Sequence, residues 1–122
     1  MKQNDPSISV VMPTYDEIER LCAALTSLSQ QDYPADRVEI IVVDDASPTQ
    51  ADSEKLQRAL APFTLKLLRH ETNQGRAKAR NTGLRCATGD IVVFLDSDMT
   101  VEPSFFRVHA AGHKREENTV FI

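Results

Sequence analysis

The acidic residues of this chain fall where carboxylates could share a task. Asp96-Ser97-Asp98 ends the apolar run Ile91-Val92-Val93-Phe94-Leu95. Asp44-Asp45 ends Ile40-Ile41-Val42-Val43, and Pro13-Thr14-Tyr15 ends Ile8-Ser9-Val10-Val11-Met12. In extended backbone, residues two apart point to the same side, so Asp96 and Asp98 can face one ion. Hard oxygen donors of this kind suit Mg²⁺ or Mn²⁺. Two unit charges 4 Å apart repel by ~4 kcal/mol at an effective dielectric of 20. Carboxylates gathered in one place therefore require a cation or a donor-rich ligand among them. Each residue also has a plainer use. Asp96 or Asp98 could cap the turn after its run. Of the adjacent Asp44 and Asp45, only one can enter a shared site, leaving the other to cap Ser47 to Thr49 or to face solvent. Tyr15 could stack on a flat base but, taken alone, reads as core, and Thr14 alone is uninformative.

A locally basic stretch lies between the acidic groups. Arg69, Arg76, Lys78, Arg80 and Arg85 face only Glu71 in that window. Arg76 and Arg85 read as a solvated helix face. Arg80, one turn beyond Arg76, is within reach of a diphosphate. Gly75 lets backbone come close to an anion at the helix start. Neither GxGxxG nor GxxxxGK[ST] occurs, so a dehydrogenase or P-loop reading has no support.

The elements that must position these groups alternate. The β-branched runs at 8–12, 40–43 and 91–95 read as strands, with a weaker one at Leu65-Lys66-Leu67-Leu68. Between them, Ile18, Leu21, Cys22, Leu25 and Leu28 recur at helical spacing, as do Leu56, Ala59, Leu60 and Phe63. Asp16 is placed to cap the first of these helices. Arg76 to Ala87 is a helix by propensity, and Pro103 suits the first position of a last helix carrying Phe105, Phe106 and Val108. Strands that are apolar throughout, separated by helices, predict an α/β fold: a Rossmann-like, mostly parallel sheet with helices on both faces. In such a sheet, ligands bind outside the carboxyl ends of the strands, where the acidic groups fall.

Composition narrows the rest. With 122 residues there is room for one domain. A net charge of −4 argues against nucleic acid as a partner, because phosphate backbones need excess cation. Cys22 and Cys86 form no CxxC pair and read as thiols in a reducing compartment. The longest apolar run, Ile91 to Leu95, is too short to cross a bilayer, which takes ~20 residues, and Met1 to Pro6 lacks the apolar core of a signal peptide. The expected location is the cytoplasm, with any membrane association through sequence not present here. Residues 1–6 read as a flexible tail and residues 7–122 as the folded portion. Thr119-Val120-Phe121-Ile122 looks like a fifth strand just beginning, so a fragment of a longer protein is expected, with apolar surface open to self-association.

With these segments in order, the chain resembles the nucleotide-sugar-binding half of family 2 glycosyltransferases, which have the GT-A fold. The resemblance rests on Ser9 to Glu17, Gln31-Asp32-Tyr33-Pro34, Glu39 to Ser47, Asn73-Gln74-Gly75 with Ala79-Arg80-Asn81, and Gly89 to Asp98. It implies an inverting transfer from a nucleoside diphosphate sugar, commonly UDP-linked, to a saccharide, lipid or protein acceptor. It further implies that Pro13, Thr14 and Tyr15 form the base-binding turn, that Glu17 meets ribose or base, and that Asp45 contacts the base. Gly75 and Arg80 would lie near the diphosphate. Asp96 would be the ribose-side acid, Ser97 would lie beside the donor, and Asp98, with Asp96, would hold the divalent metal. The family takes the acceptor proton with a later carboxylate, which Asp90, Glu102, Glu116 and Glu117 do not match by position. The 122 residues are therefore expected to bind nucleotide and metal without completing transfer alone.

Rival readings fit less well. A receiver domain puts its acidic pair after the first strand and an Asp after the third, whereas here the pair follows the second strand and the third ends in Leu68-Arg69-His70. A nucleotidyltransferase has a basic, Gly-rich loop where this chain has Pro13-Thr14-Tyr15-Asp16. A non-catalytic nucleotide-binding module is the remaining alternative.

Overall fold

The computed structural model describes residues 5–113 together with Val120 and Phe121. Strands and helices alternate as β1 (Ile8–Thr14), α1 (Ile18–Ser29), β2 (Val38–Asp44), α2 (Ser53–Leu60), β3 (Thr64–Arg69), α3 (Arg76–Cys86), β4 (Ile91–Phe94), α4 (Phe105–His113) and β5 (Val120–Phe121). The strands form one sheet in the order β3-β2-β1-β4-β5, every pair parallel. The expected fifth strand is present at Val120–Phe121. Chain order reverses direction across the sheet between β1 and β4, which makes their carboxyl ends the natural crevice. In register, Thr14 pairs with Asp44 and Asp44 with Arg69, so β1, β2 and β3 end level with one another.

The sheet is covered on both faces, as its unbroken apolar strands require. On one face Val10, Met12, Ile40, Val42, Ile91 and Val93 pack against Leu21, Leu25 and Leu28 of α1, Leu56 and Leu60 of α2, and Phe106 of α4. Phe106 meets Tyr33 and Phe63 edge-on, with centroids 6.0 and 5.7 Å away. On the other face Val11, Ile41 and Val43 meet Ala79 of α3. A Cβ at Gly83 would lie 2.4 Å from Val11 Cγ1. Ala79 and Gly83, one turn apart, thus bring the α3 backbone close against β1 and β2 and set its N-terminus over the strand ends.

Three local expectations are corrected. Asp16 does not cap α1: it adopts φ 52° and Glu17 occupies the cap position without a side-chain bond. Pro103 does not open α4, which starts at Phe105; its carbonyl instead accepts from Asp32 N at 3.0 Å. The loose tail does not extend to Asp5 and Pro6. Asp5 is buried and accepts from Arg107 Nη1 at 3.0 Å, while the Tyr33 hydroxyl donates to the Pro6 carbonyl. Burial, aided by the Asp5 charge, holds the Tyr33 phenol up at about 12. The remainder of the tail, residues 1–4, lies outside the described residues.

Candidate functional site

The two acids that end β2 separate as adjacent strand residues must. Asp44 is structural. Its Oδ1 accepts from Ser47 N at 2.9 Å and from the Ser47 hydroxyl, and its Oδ2 accepts from Arg69 Nη1 at 2.6 Å. Ala46, at φ 66°, reverses the chain to allow this. The Ser47 hydroxyl oxygen in turn accepts from Asp16 N at 2.8 Å, tying the loop after β1 to the loop after β2. Ala46 and Asp16, the two non-glycine residues at positive φ among the described residues, thus flank the strand ends.

Asp45 turns the other way and is 4% exposed. Its N–H donates to the Thr14 carbonyl at 2.9 Å, extending the ladder one step. Its Oδ1 accepts from Gln74 N and stands 2.8 Å from His70 Nδ1; its Oδ2 accepts from Gly75 N, also at 2.8 Å. Burial works to raise the Asp45 pKa, but the bonds from Gln74, His70 and Gly75 outweigh it, and the carboxyl sits below its ordinary value. Two consecutive amides can face one carboxylate because Gly75 takes φ 97° and ψ 161°, which side chains disfavour. The backbone is thereby drawn close at the start of α3.

Beside this brace lies a cavity of about 200 Å³, lined by Pro13, Thr14, Tyr15, Glu17, Asp45, Asn73, Gly75, Arg76 and Ala79. Six residues singled out from sequence, Pro13, Thr14, Tyr15, Glu17, Asp45 and Gly75, come together here. Tyr15 is not core: it is 44% exposed at the cavity wall. Arg76 is solvated as expected, its side chain 61% exposed, yet it also takes part in the site. It lines the cavity and its Nη1 stands 3.8 Å from Asp96 Oδ1, while Arg80 Nη2 is 3.5 Å from the same oxygen. The Arg80 Nε is buried without an acceptor among the described residues. A buried cationic donor with nothing to bond is costly unless a ligand oxygen completes it.

The acids after β4 are arranged differently from the expectation. The strand ends at Phe94, Leu95 N donates to Val11 O at 3.0 Å, and Met99 N closes a turn onto Asp96 O at 3.1 Å. Asp96 and Asp98 therefore lie across a turn, not on one side of an extended strand. Ser97 is buried between a half-buried Asp96 and an exposed Asp98. Among the described residues no three His, Cys, Asp or Glu side chains converge as a metal cluster. If a divalent ion were held here, the protein's own share would be one or two carboxylates. That suits an ion completed by phosphate oxygens and water, the usual setting of Mg²⁺.

Four participants escaped sequence reading. Asn73, whose Nδ2 donates to the Asp45 carbonyl at 3.2 Å, belonged to a quoted segment but had no role. Arg76 had a usable signal in its one-turn spacing from Arg80. His70 carried one too, since it follows directly on a strand end. Thr82, 2.8 Å from His70 Nε2, had none.

The model of glycosyl transferase family 2 matches residues 9–122. An uncharacterized glycosyltransferase of Bacillus subtilis, YfnE, is 40% identical over 112 residues, covering 92% of this chain and 28% of that protein. The poly(ribitol-phosphate) beta-N-acetylglucosaminyltransferase TarS of Staphylococcus aureus is 38% identical over 115 residues, covering 93% of this chain and 20% of its own length. Among solved structures, TarS 1–349 in complex with UDP superposes with a TM-score of 0.80 at 34% identity, over 89% of this chain and 32% of that one. A mannosyltransferase of Pyrobaculum calidifontis in complex with GDP-Man and Mn²⁺ gives 0.76, also at 34% identity, over 88% of this chain and 32% of that one. The chain thus spans a third or less of the length of these relatives.

Proposed function

The chain belongs to glycosyltransferase family 2, and from that membership we propose that its carboxyl-edge site holds the nucleoside diphosphate of an activated sugar, UDP-linked, for transfer to an acceptor. The observation that carries this reading is the pairing of two unlike ends. At one end Tyr15 and Asp45 wall a cavity suited to a flat base. At the other, Arg76 and Arg80 gather on Asp96, and Arg80 Nε lacks an acceptor among the described residues. A base needs a face to stack on and a group that reads its edge. A diphosphate needs charge-assisted donors.

In this reading Pro13 and Thr14 shape the turn under the base and Tyr15 stacks on it. Asp45 accepts from the base edge, and Glu17 meets the ribose or base. Gly75 leaves room at the start of α3. Arg80 and Arg76 exchange Asp96 for phosphate oxygens, and Ser97 keeps the turn in place. Asp98, with Asp96, would hold Mg²⁺ or Mn²⁺. When bound, that ion offsets phosphate charge and the charge left on the departing nucleotide. The Mn²⁺ and GDP-Man of the mannosyltransferase and the UDP of TarS support the donor class. A further TarS complex, with UDP-GlcNAc at TM-score 0.81, supports it as well.

The whole protein would transfer the sugar with inversion to a saccharide, lipid or protein acceptor, in the cytoplasm. No helix among the described residues is long and apolar enough to cross a membrane. The 122 residues are proposed to bind donor without completing transfer, since no carboxylate in them matches the family's base. Incubating the chain with UDP-sugars and candidate acceptors is expected to release UDP no faster than buffer does. Sustained turnover would contradict that assignment.

A further inference from the structure

His70 is the buried titratable group that the reading above leaves idle. It is 8% exposed and sits just past β3. Its N–H donates to the Asp44 carbonyl at 2.9 Å, which fixes the backbone. Its ring bridges two elements: Nδ1 lies 2.8 Å from Asp45 Oδ1, and Nε2 lies 2.8 Å from Thr82 Oγ1 on α3. An ionised carboxylate only accepts, so Nδ1 carries the hydrogen toward Asp45. The hydroxyl of Thr82 can bond Nε2 or donate to the Lys78 carbonyl at 3.0 Å. When that hydroxyl donates to Nε2, both ends of the ring are held.

The bond to Asp45 has a consequence for the ligand. A carboxylate offers about four acceptor directions. His70 and Gln74 fill Oδ1, and Gly75 fills one direction of Oδ2. The direction left over belongs to Oδ2, on a residue that lines the cavity. With Oδ1 fastened from two sides, the carboxylate cannot rotate, and what it presents is a fixed, acceptor-only atom. Such an atom selects bases that bear a ring N–H. Uracil, thymine and guanine carry an imide N–H on their pairing edge, whereas cytosine and adenine carry a lone pair at that place. A lone pair set against Oδ2 would be repelled.

We infer that His70 is a positioning residue for base selection. It locks Asp45 so that imide-bearing nucleotides are preferred, and through Thr82 it ties that lock to the helix bearing Arg76 and Arg80. This rests on the proposed nucleotide reading of the site.

The test is calorimetric titration of the 122-residue chain and its His70 variants with UDP and with CDP. The unaltered chain is expected to prefer UDP. His70→Asn, whose amide can replace Nδ1–H, should keep that preference. His70→Gln reaches only toward Thr82, and His70→Ala reaches neither partner. In both, UDP affinity should fall about tenfold while CDP affinity stays within about threefold, the loss expected for one bond to a charged acceptor. A purely structural role would lower both affinities together. Retention of the UDP preference in the Gln and Ala variants, or its loss in the Asn variant, would overturn the inference. If the Ala variant does not fold, the Asn and Gln pair decides. Failure of the unaltered chain to bind either nucleotide would remove the nucleotide reading itself, whereas a preference that survives every variant would remove only the role of His70.

Discussion

Arg80 shows how one side chain can be half-satisfied in a way that anticipates a ligand. Its Nη2 leans on Asp96 at 3.5 Å, a long contact, and its Nε is buried with no acceptor among the described residues. Beside it, Arg76 approaches the same oxygen from 3.8 Å. A diphosphate would give both guanidiniums oxygens at bonding distance. Arg80→Met keeps much of the stem and removes the fork. It should lower UDP affinity about tenfold and leave uridine affinity unchanged, because the loss falls on phosphate. Titrations with the two ligands separate these outcomes, and an equal loss for both would place Arg80 at the base instead. The place of this arginine, one turn into the helix that starts at Arg76, was legible in the sequence. Its coupling to Arg76 was not, because an i, i+4 pair of cations looks alike on a solvated face and over a strand end. The Tyr15 ring was misjudged for a related reason. An aromatic residue after a strand says nothing of which way the following turn leads, and here Asp16 at φ 52° leads it outward.

At the scale of elements, the site depends on the turn into α3. Gly75 stands at φ 97°, and beyond its chain neighbours no atom of the described residues lies within 4 Å of where a Cβ would be. Substitution there costs backbone strain alone. Gly75→Ala should destabilise the chain by about 1–3 kcal/mol and weaken UDP binding, since the amides of residues 74 and 75 would no longer converge on Asp45. Urea unfolding and titration of the same sample check both. The opposite end of the sheet carries a different brace. Glu39 on β2 accepts from Ser9 Oγ at 2.6 Å and Thr88 N at 2.8 Å, and pairs with Lys66 Nζ at 2.6 Å. Burial raises its pKa, but these partners prevail and hold it at about 2, below the ordinary 4.5. A carboxylate depressed in this way stabilises the fold fully above its unfolded pKa and loses that contribution as pH falls through the folded one. The stability gap between the unaltered chain and Glu39→Gln should therefore be widest near neutral pH and shrink from about pH 4.5 toward about pH 2. A gap constant over that range would contradict the assignment. The strands β1 and β2 were plain in the sequence because both faces are buried, which leaves unbroken β-branched runs, whereas the partly exposed β3 was the weaker signal. The acids after β4 were misplaced because the strand stops at Phe94. The alternation rule therefore ended two residues before it was applied to Asp96 and Asp98.

For the whole molecule, the open sheet has β3 and β5 as its outer strands among the described residues. On the β3 side, Lys66 and Arg69 pair back onto Glu39 and Asp44 of β2. On the other side, β5 pairs with β4 at two levels among the described residues, Val92 with Val120 and Val93 with Phe121. Self-association of the chain is proposed, as expected from its sequence. Sedimentation across a concentration series should reveal a dimer or larger species, and a monomer throughout would count against it. Asp5 marks a limit of reading at this scale. A polar residue near a terminus looks like tail, and only the distant Arg107 and Tyr33 make it part of the body. The central claim, that the acid-lined edge binds a nucleoside diphosphate with a divalent ion, is tested most directly by titrating UDP into the 122-residue chain with Mn²⁺ and with chelator, beside Asp98→Ala. The account predicts one molecule bound per chain in Mn²⁺, with affinity reduced about tenfold or more by chelator or by the substitution. No binding in Mn²⁺, or equal binding under all three conditions, would contradict it.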